Sequence, residues 1–362
     1  MNGFEIAESV RYVDDIKLKH IKYNSIHIKK YEADLALNSI KISEDITPEI
    51  YKSLEEVCKN LKIDINSVSA YVTSSPDIQA TVRSNDKNNC VVTLTSAIVN
   101  LLDFEEMKFI IGHEIGHFLL SHNIEERMNE NSHEGFIKSR GSEISVDRIG
   151  LLACKDFDVA MRSIIKTLSG LNQKYISFNI RGFLRQLEKA ETLNDISNKF
   201  STHPAFVLRV KALFRFSLSD PCQRIINKTK GTNLIDIDKL IQKDLNKYID
   251  QEIRNDIKES KENILFWGYA YSYIKNESLS KENQADISNK FGELKKDKLI
   301  NMIKGQSTKA AINNVYKKLL LSVDNFRKVA PNKAKKEINT VLMTIEKETK
   351  NQGFFDEVNK NI

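Results

Sequence analysis

The chain has 362 residues, 41% hydrophobic and 29% charged, enough for two or three domains with real cores. Its net charge of +6 comes from lysines mixed with acids along the whole length. With no Arg/Lys block interleaved with aromatics, no nucleic-acid partner is expected. No window approaches the roughly 18 uncharged apolar residues of a membrane span, and residues 1–5 lack a basic stretch followed by an apolar one. Cys58, Cys90, Cys154 and Cys222 are widely spaced and form no C-x-x-C pair. A soluble, cytoplasmic chain with reduced, buried thiols and no transmembrane segment is expected.

Five prolines and thirteen glycines leave long stretches free to be helical, so the fold class is expected to be mainly α with a small β-sheet, an α+β arrangement. Residues 1–45 are polar with scattered Ile, Tyr and Leu and carry no chemical motif. Thr47-Pro48-Glu49 reads as the N-cap and first turn of a helix to about residue 61. Residues 68–73 and 90–95, rich in branched side chains, read as strands, with 78–82 as a third between them. Helices are expected over 96–102 and 103–122. Residues 123–141, with Asn129, Asn131, Ser132, Gly135 and Gly141, read as a surface insertion.

Helical patterns then cover 142–154, 159–171, 178–193 and 204–216, and the run Ser217-Leu218-Ser219-Asp220-Pro221 reads as a boundary. Beyond it, 234–257 carries Ile237, Ile241, Leu245, Ile249, Ile253 and Ile257 every four residues, a packing stripe. Further helices fit 263–274, 281–291, 309–329 and 333–348. The aromatic cluster Phe266, Trp267, Tyr269, Tyr271 and Tyr273 reads as the core of a small domain rather than a recognition surface.

Within 103–122 lies His113-Glu114-Ile115-Gly116-His117, inside an apolar run. On a helix, residues four apart share a face, so His113 and His117 can offer two imidazole nitrogens to one metal ion with Glu114 beside it. A helix that is apolar nearly all round has to satisfy these polar groups, and a metal does so. Zinc held by three protein ligands keeps a position for water, lowers its pKa and needs a carboxylate to take the proton, a role that suits Glu114. Downstream, Glu143 and Asp147 stand one helical turn apart and share a face. Glu143 can close the zinc site, and Asp147 can accept the other ring N–H of a ligating histidine. His122, five residues past His117 on a continued helix, points elsewhere, and His133 sits in a polar stretch; both read as solvated.

His113-Glu114-x-x-His117 followed by Glu143-x-x-x-Asp147-Arg148-x-Gly150 resembles the M48 metallopeptidases, the gluzincin family of the CAAX prenyl protease and HtpX. Thr202-His203-Pro204, with Arg209 six residues after the histidine, is similar to the family's His-Pro segment. The resemblance implies a zincin-like core in which His203 bonds the oxyanion or caps the zinc. It implies that Arg209 pairs with acidic site residues or the oxyanion. It also makes 78–82 the strand edging the cleft, with Gln79 and Ala80 binding an extended substrate where family members usually show Asn-Ala.

The expected organisation is an N-terminal helical segment over 1–61, an M48-like zinc peptidase domain over 62–220 and a helical C-terminal domain over 221–362. The last serves either as a partner-binding or self-association module or as a stabilising lid. The expected function is a zinc-dependent endopeptidase acting on intracellular protein or peptide substrates. The alternative is a latent or non-catalytic zinc-binding regulator that works through its C-terminal helices.

Overall fold

The computed structural model describes residues 1–12, 20–22, 26–84, 87–122, 125–127, 132–192, 205–277 and 279–362. By its internal contacts the chain falls into two units, Met1–Met128 with Gly135–Asp250, and Asn129–Glu134 with Gln251–Ile362. The protein is mainly helical with a small mixed sheet.

In chain order the first unit opens with α1 (Gly3–Val10), β1 (His20–Lys22), α2 (Ile26–Asn38), β2 (Ile40–Lys41) and α3 (Pro48–Leu61). The strands β3 (Val68–Thr73), β4 (Ala80–Ser84) and β5 (Cys90–Thr95) follow, then α4 (Ser96–Leu101), α5 (Phe104–Leu119) and β6 (Glu125–Arg127). The sheet order is β2-β3-β5-β4, with β3 and β5 parallel and both outer strands antiparallel to their neighbours. Every residue of β5 is buried, as suits a strand covered on both faces. With the period of two, Cys90, Val92 and Leu94 join the core that holds α3 and α5, whereas Val91 packs with Tyr71 and with Leu35 of α2 on the opposite face. The motif-free N-terminal stretch thus supplies the cover for the sheet's second face.

Helix α5 is set by a capping box. Asp103 Oδ1 accepts from the Glu106 N–H at 2.9 Å, and Glu106 Oε2 accepts from the Asp103 N–H at 3.0 Å. Glu106 is fully buried, and Lys166 donates to the same Oε2 at 2.5 Å, so the buried carboxylate is paired. From Glu106 to Leu119 only His117 is more than slightly exposed.

The expectation of a surface insertion over 123–141 is corrected where the chain is described. Strand β6 pairs antiparallel with β1, and α6 (His133–Cys154) begins eight residues before Gly141. Gly135 and Gly141 lie inside this helix, where burial outweighs their helix penalty of about 1 kcal/mol each. Arg140, buried, donates to Asp250 Oδ1 at 2.9 and 2.6 Å and fixes this part of α6 within the unit.

The unit is completed by α7 (Phe157–Ser169), α8 (Ile180–Thr192), α9 (Phe206–Ser217), α10 (Asp220–Ile226) and α11 (Leu234–Leu245). Residues 221–250 therefore lie with the first unit. Tyr12 donates to Gln242 at 2.7 Å, Arg148 pairs with Asp238, and Lys211 and Arg215 both reach Asp244. The expected single helix over 234–257 is interrupted by a π-turn at Asn246–Asp250. A strict four-residue repeat drifts by roughly 40° per step around a 3.6-residue helix and cannot hold one face. Accordingly Ile237, Ile241 and Leu245 pack with Tyr12 and Ile144 in the first unit, while Ile257 packs in the core of the second.

The second unit is all helical: α12 (Gln251–Glu277), α13 (Lys281–Phe291), α14 (Glu293–Ile303), α15 (Thr308–Val329), α16 (Pro331–Thr349) and α17 (Phe354–Lys360). Phe266, Trp267, Tyr269 and Tyr271 are buried among Val315, Leu319, Leu342 and Ile345, so the aromatic cluster is core. Three tyrosine hydroxyls of α12 donate to carboxylates: Tyr269 to Glu348, Tyr271 to Glu357 at 2.8 Å and Tyr273 to Asp286 at 2.6 Å. Among the described residues no helix is long and apolar enough to cross a membrane.

Candidate metal centre

Two helices carry the site, and small residues let them approach. A Cβ on Gly112 of α5 would fall 2.3 Å from Ala153 Cβ of α6, and one on Gly150 of α6 would fall 2.9 Å from the Phe109 carbonyl and ring. This close seam brings Glu143 of α6 against the two histidines of α5. His113 Nε2 lies 3.6 Å from Glu143 Oε2, and His117 Nε2 lies 3.5 Å from Glu143 Oε1. Among the described residues, these three form the only cluster of His, Cys, Asp or Glu whose ligand atoms lie within 4.8 Å of one another.

The donor set fits zinc. Tetrahedral zinc with ligands at about 2.0–2.1 Å separates neighbouring donor atoms by roughly 3.3–3.4 Å, close to the two histidine-to-glutamate distances. Two imidazoles and a carboxylate are also the donor types of catalytic rather than structural zinc.

The outer ring nitrogens are held as well. His113 Nδ1 is 3.0 Å from Asp147 Oδ1, and Arg209 of α9 donates to both oxygens of Asp147, at 2.8 Å from Nε and 2.6 Å from Nη2. The same Nη2 lies 3.7 Å from Glu143 Oε2. Burial alone would raise the Asp147 carboxyl, but the Arg209 guanidinium outweighs it and holds the group below the usual carboxylate range. The second ligand ring has a partner that helical periodicity concealed: His117 Nδ1 is 3.0 Å from His122 Nδ1. The reading of His122 as solvated is therefore corrected. Helix α5 stops at Leu119, and the chain folds back instead of continuing the helix on which that reading depended. Its one sequence signal is the change from Leu119-Leu120 to Ser121-His122.

Glu114, buried beside the cluster, is pushed up to about 7, first by burial and then by the Glu143 charge, against the pull of His113 and Arg209. It lines a cleft of about 380 Å³ together with the three cluster residues and Arg209. The cleft is bounded on one side by Ile78 to Val82 and on the other by Ile164, Thr167 and Leu168 of α7. Gln79 and Ala80 stand on this wall. Ala80 opens β4, the outer strand, and the Gln79 main chain is tied to Thr95 through N–H to Oγ1 at 3.1 Å and carbonyl to N–H at 3.0 Å. His203 lies outside the described residues. His133 does not join the cluster; its Nε2 is 3.2 Å from Asp256 Oδ2 in the second unit.

Residues 45–137 match the profile of peptidase family M48, a span that takes in α5 and its H-E-x-x-H. That segment is what this chain shares with peptidase family M48. The M48 match ends before Glu143, Asp147 and Arg209, so these three are brought to the site by the geometry alone. Similar relatives include the Protease HtpX homologs of Streptococcus mutans, 29% identical over 84 residues, and of Methanocaldococcus jannaschii, 31% identical over 83. That of Helicobacter pylori is 28% identical over 95 residues. These stretches cover 23%, 23% and 26% of this chain, and 27%, 28% and 30% of the respective relatives, less than a third of their length. No solved structure matches it.

Proposed function

We propose that this chain is a zinc-dependent endopeptidase that hydrolyses peptide bonds of intracellular protein substrates. The observation that carries the reading is the convergence of His113 Nε2 and His117 Nε2 on the two oxygens of Glu143, with the buried Glu114 in the same cleft. Zinc bound by His113, His117 and Glu143 supplies a Lewis acid that acidifies water and polarises a scissile carbonyl. Glu114 takes the proton of the attacking water and returns it to the leaving amine, work for which a carboxylate lining the same cleft as His113, His117 and Glu143 is suited.

Asp147 holds the His113 ring through Nδ1 and is itself held by Arg209. Arg209, which lines the cleft, is assigned to the negative charge that develops on the carbonyl oxygen. His203 is assigned to the same oxyanion through its resemblance to the family's His-Pro segment. Ala80, which opens the outer strand of the sheet, takes an extended substrate by main-chain hydrogen bonds, and Gln79, whose own N–H and carbonyl are engaged by Thr95, offers its side-chain amide. A reducing, cytoplasmic setting is supported by four cysteines that are all free and buried.

The test separates metal from chemistry. Glu114→Gln is expected to keep about one zinc per chain and to lose turnover by roughly 10²- to 10⁴-fold. Glu143→Ala is expected to lose the zinc itself, read by metal analysis after gel filtration. Full turnover by Glu114→Gln would sink the general-base assignment, and zinc retained at wild-type affinity by Glu143→Ala would sink the ligand set.

A further inference from the structure

We propose that His122 is the positioning residue of His117, holding the ligand ring by Nδ1 so that Nε2 addresses the metal; this rests on the zinc reading above. The ring contact of 3.0 Å is produced by the backbone. Helix α5 ends in a Schellman turn: the His122 N–H donates to the His117 carbonyl at 2.8 Å, and the Ser121 N–H donates to the Phe118 carbonyl at 3.0 Å. Ser121 takes the left-handed conformation this turn requires, with φ of 60°. The chain therefore reverses over its own last turn and lays the His122 ring against His117, with centroids 5.2 Å apart and planes at 65°.

The tautomers follow from this geometry. Nε2 of His117 faces Glu143, so to bind a metal it must present a lone pair there and carry its proton on Nδ1. That N–H donates to Nδ1 of His122, which must then be neutral and protonated on Nε2. The two ligand rings thus have chemically different partners. His113 leans on a carboxylate already engaged by Arg209, and His117 on a neutral imidazole supplied by the turn that ends its own helix.

Leucine and asparagine have nearly the same shape, and Asn Oδ1 can occupy the position of the histidine Nδ1. In the full-length protein, His122→Leu is expected to weaken zinc binding about 10- to 100-fold, read by competition with a chromophoric chelator. It should also change the visible spectrum of the cobalt-substituted protein. His122→Asn is expected to restore both to near the wild type. Equal affinities for the Leu and Asn variants, or a Leu variant that binds like the wild type, would overturn the assignment. If His122→Leu does not fold by circular dichroism, the imidazole nitrogen spectrum of the zinc-loaded wild type decides. His122 protonated on Nε2 and His117 on Nδ1 support the proposal, and any other pair of tautomers overturns it. A wild type that binds no zinc would remove the metal reading and this one together, whereas zinc affinity that is the same in the wild type and in both variants at residue 122 removes only this one.

Discussion

Asp147 is the residue on which most of the site's order converges. It accepts from His113 and from two nitrogens of Arg209, and all three side chains are buried. Replacing it with asparagine keeps the volume but leaves a buried guanidinium without its counter-ion, a loss that typically costs about 3–5 kcal/mol. Asp147→Asn is therefore expected to lower the unfolding free energy of the metal-free protein by that amount and, by releasing His113, to weaken zinc binding about 10- to 100-fold. Urea denaturation and chelator competition measure the two effects separately. Unchanged stability would mean that Arg209 finds another partner, for which Glu143, 3.7 Å away, is the nearest acid.

At the scale of elements, the site exists because α5 and α6 meet across glycine. Gly112→Ala improves intrinsic helix propensity by about 1 kcal/mol, yet its Cβ would stand 2.3 Å from that of Ala153, an atom fixed to a helix backbone and unable to turn away. The overlap wins, and a net loss of about 1–3 kcal/mol is expected, together with weaker zinc binding as Glu143 is pushed from the histidines. A Gly112→Ala protein with an unchanged melting temperature would show that the seam can part without strain.

Sequence reading succeeded where an interaction is local. Pro48 announced α3, branched runs announced β3 and β5 to the residue, and one helical turn determines how His113, Glu114 and His117 relate. Glu143 and Asp147 could be read as a pair, but their meeting with the histidines depends on the α5 to α6 packing. His122 was hidden because its place hangs on Ser121 adopting a left-handed φ, which no residue except glycine advertises. The early start of α6 was hidden because burial overrode two glycines, and the π-turn at Asn246–Asp250 because an apolar repeat of four looks continuous through it.

The whole molecule carries a natural reporter in each unit. All four cysteines lie in the first, and burial pushes the thiols of Cys58, Cys154 and Cys222 up to about 12, with Cys90 raised as well. No thiol of the folded protein is expected to react with iodoacetamide at pH 8, and all four are expected to react in urea. The single tryptophan, Trp267, reports the second unit. There Glu348 is held below the ordinary carboxylate range chiefly by the hydrogen bond from Tyr269. At Asp286 burial pushes the other way, but hydrogen bonds from Lys290 and Tyr273 prevail, as do those from Lys275 and Tyr271 at Glu357. Carboxyls lowered on folding stabilise above their unfolded pKa, and that stability is lost as pH falls through the folded value. The three tyrosines are raised, first by burial, so their contribution is lost only as pH rises past about 10. The Trp267 melting midpoint should therefore fall below about pH 4 and again above pH 10, and a flat profile would remove these pairs from the account.

The central claim, peptide-bond hydrolysis at this centre, is tested most directly by mapping new protein N-termini in a lysate of the source cells. The lysate is treated with zinc-loaded wild type or with Glu114→Gln. The account predicts new termini with the wild type alone. Their absence, with about one zinc bound per chain in both proteins, would contradict the endopeptidase reading and leave a zinc-binding protein that acts without cleaving.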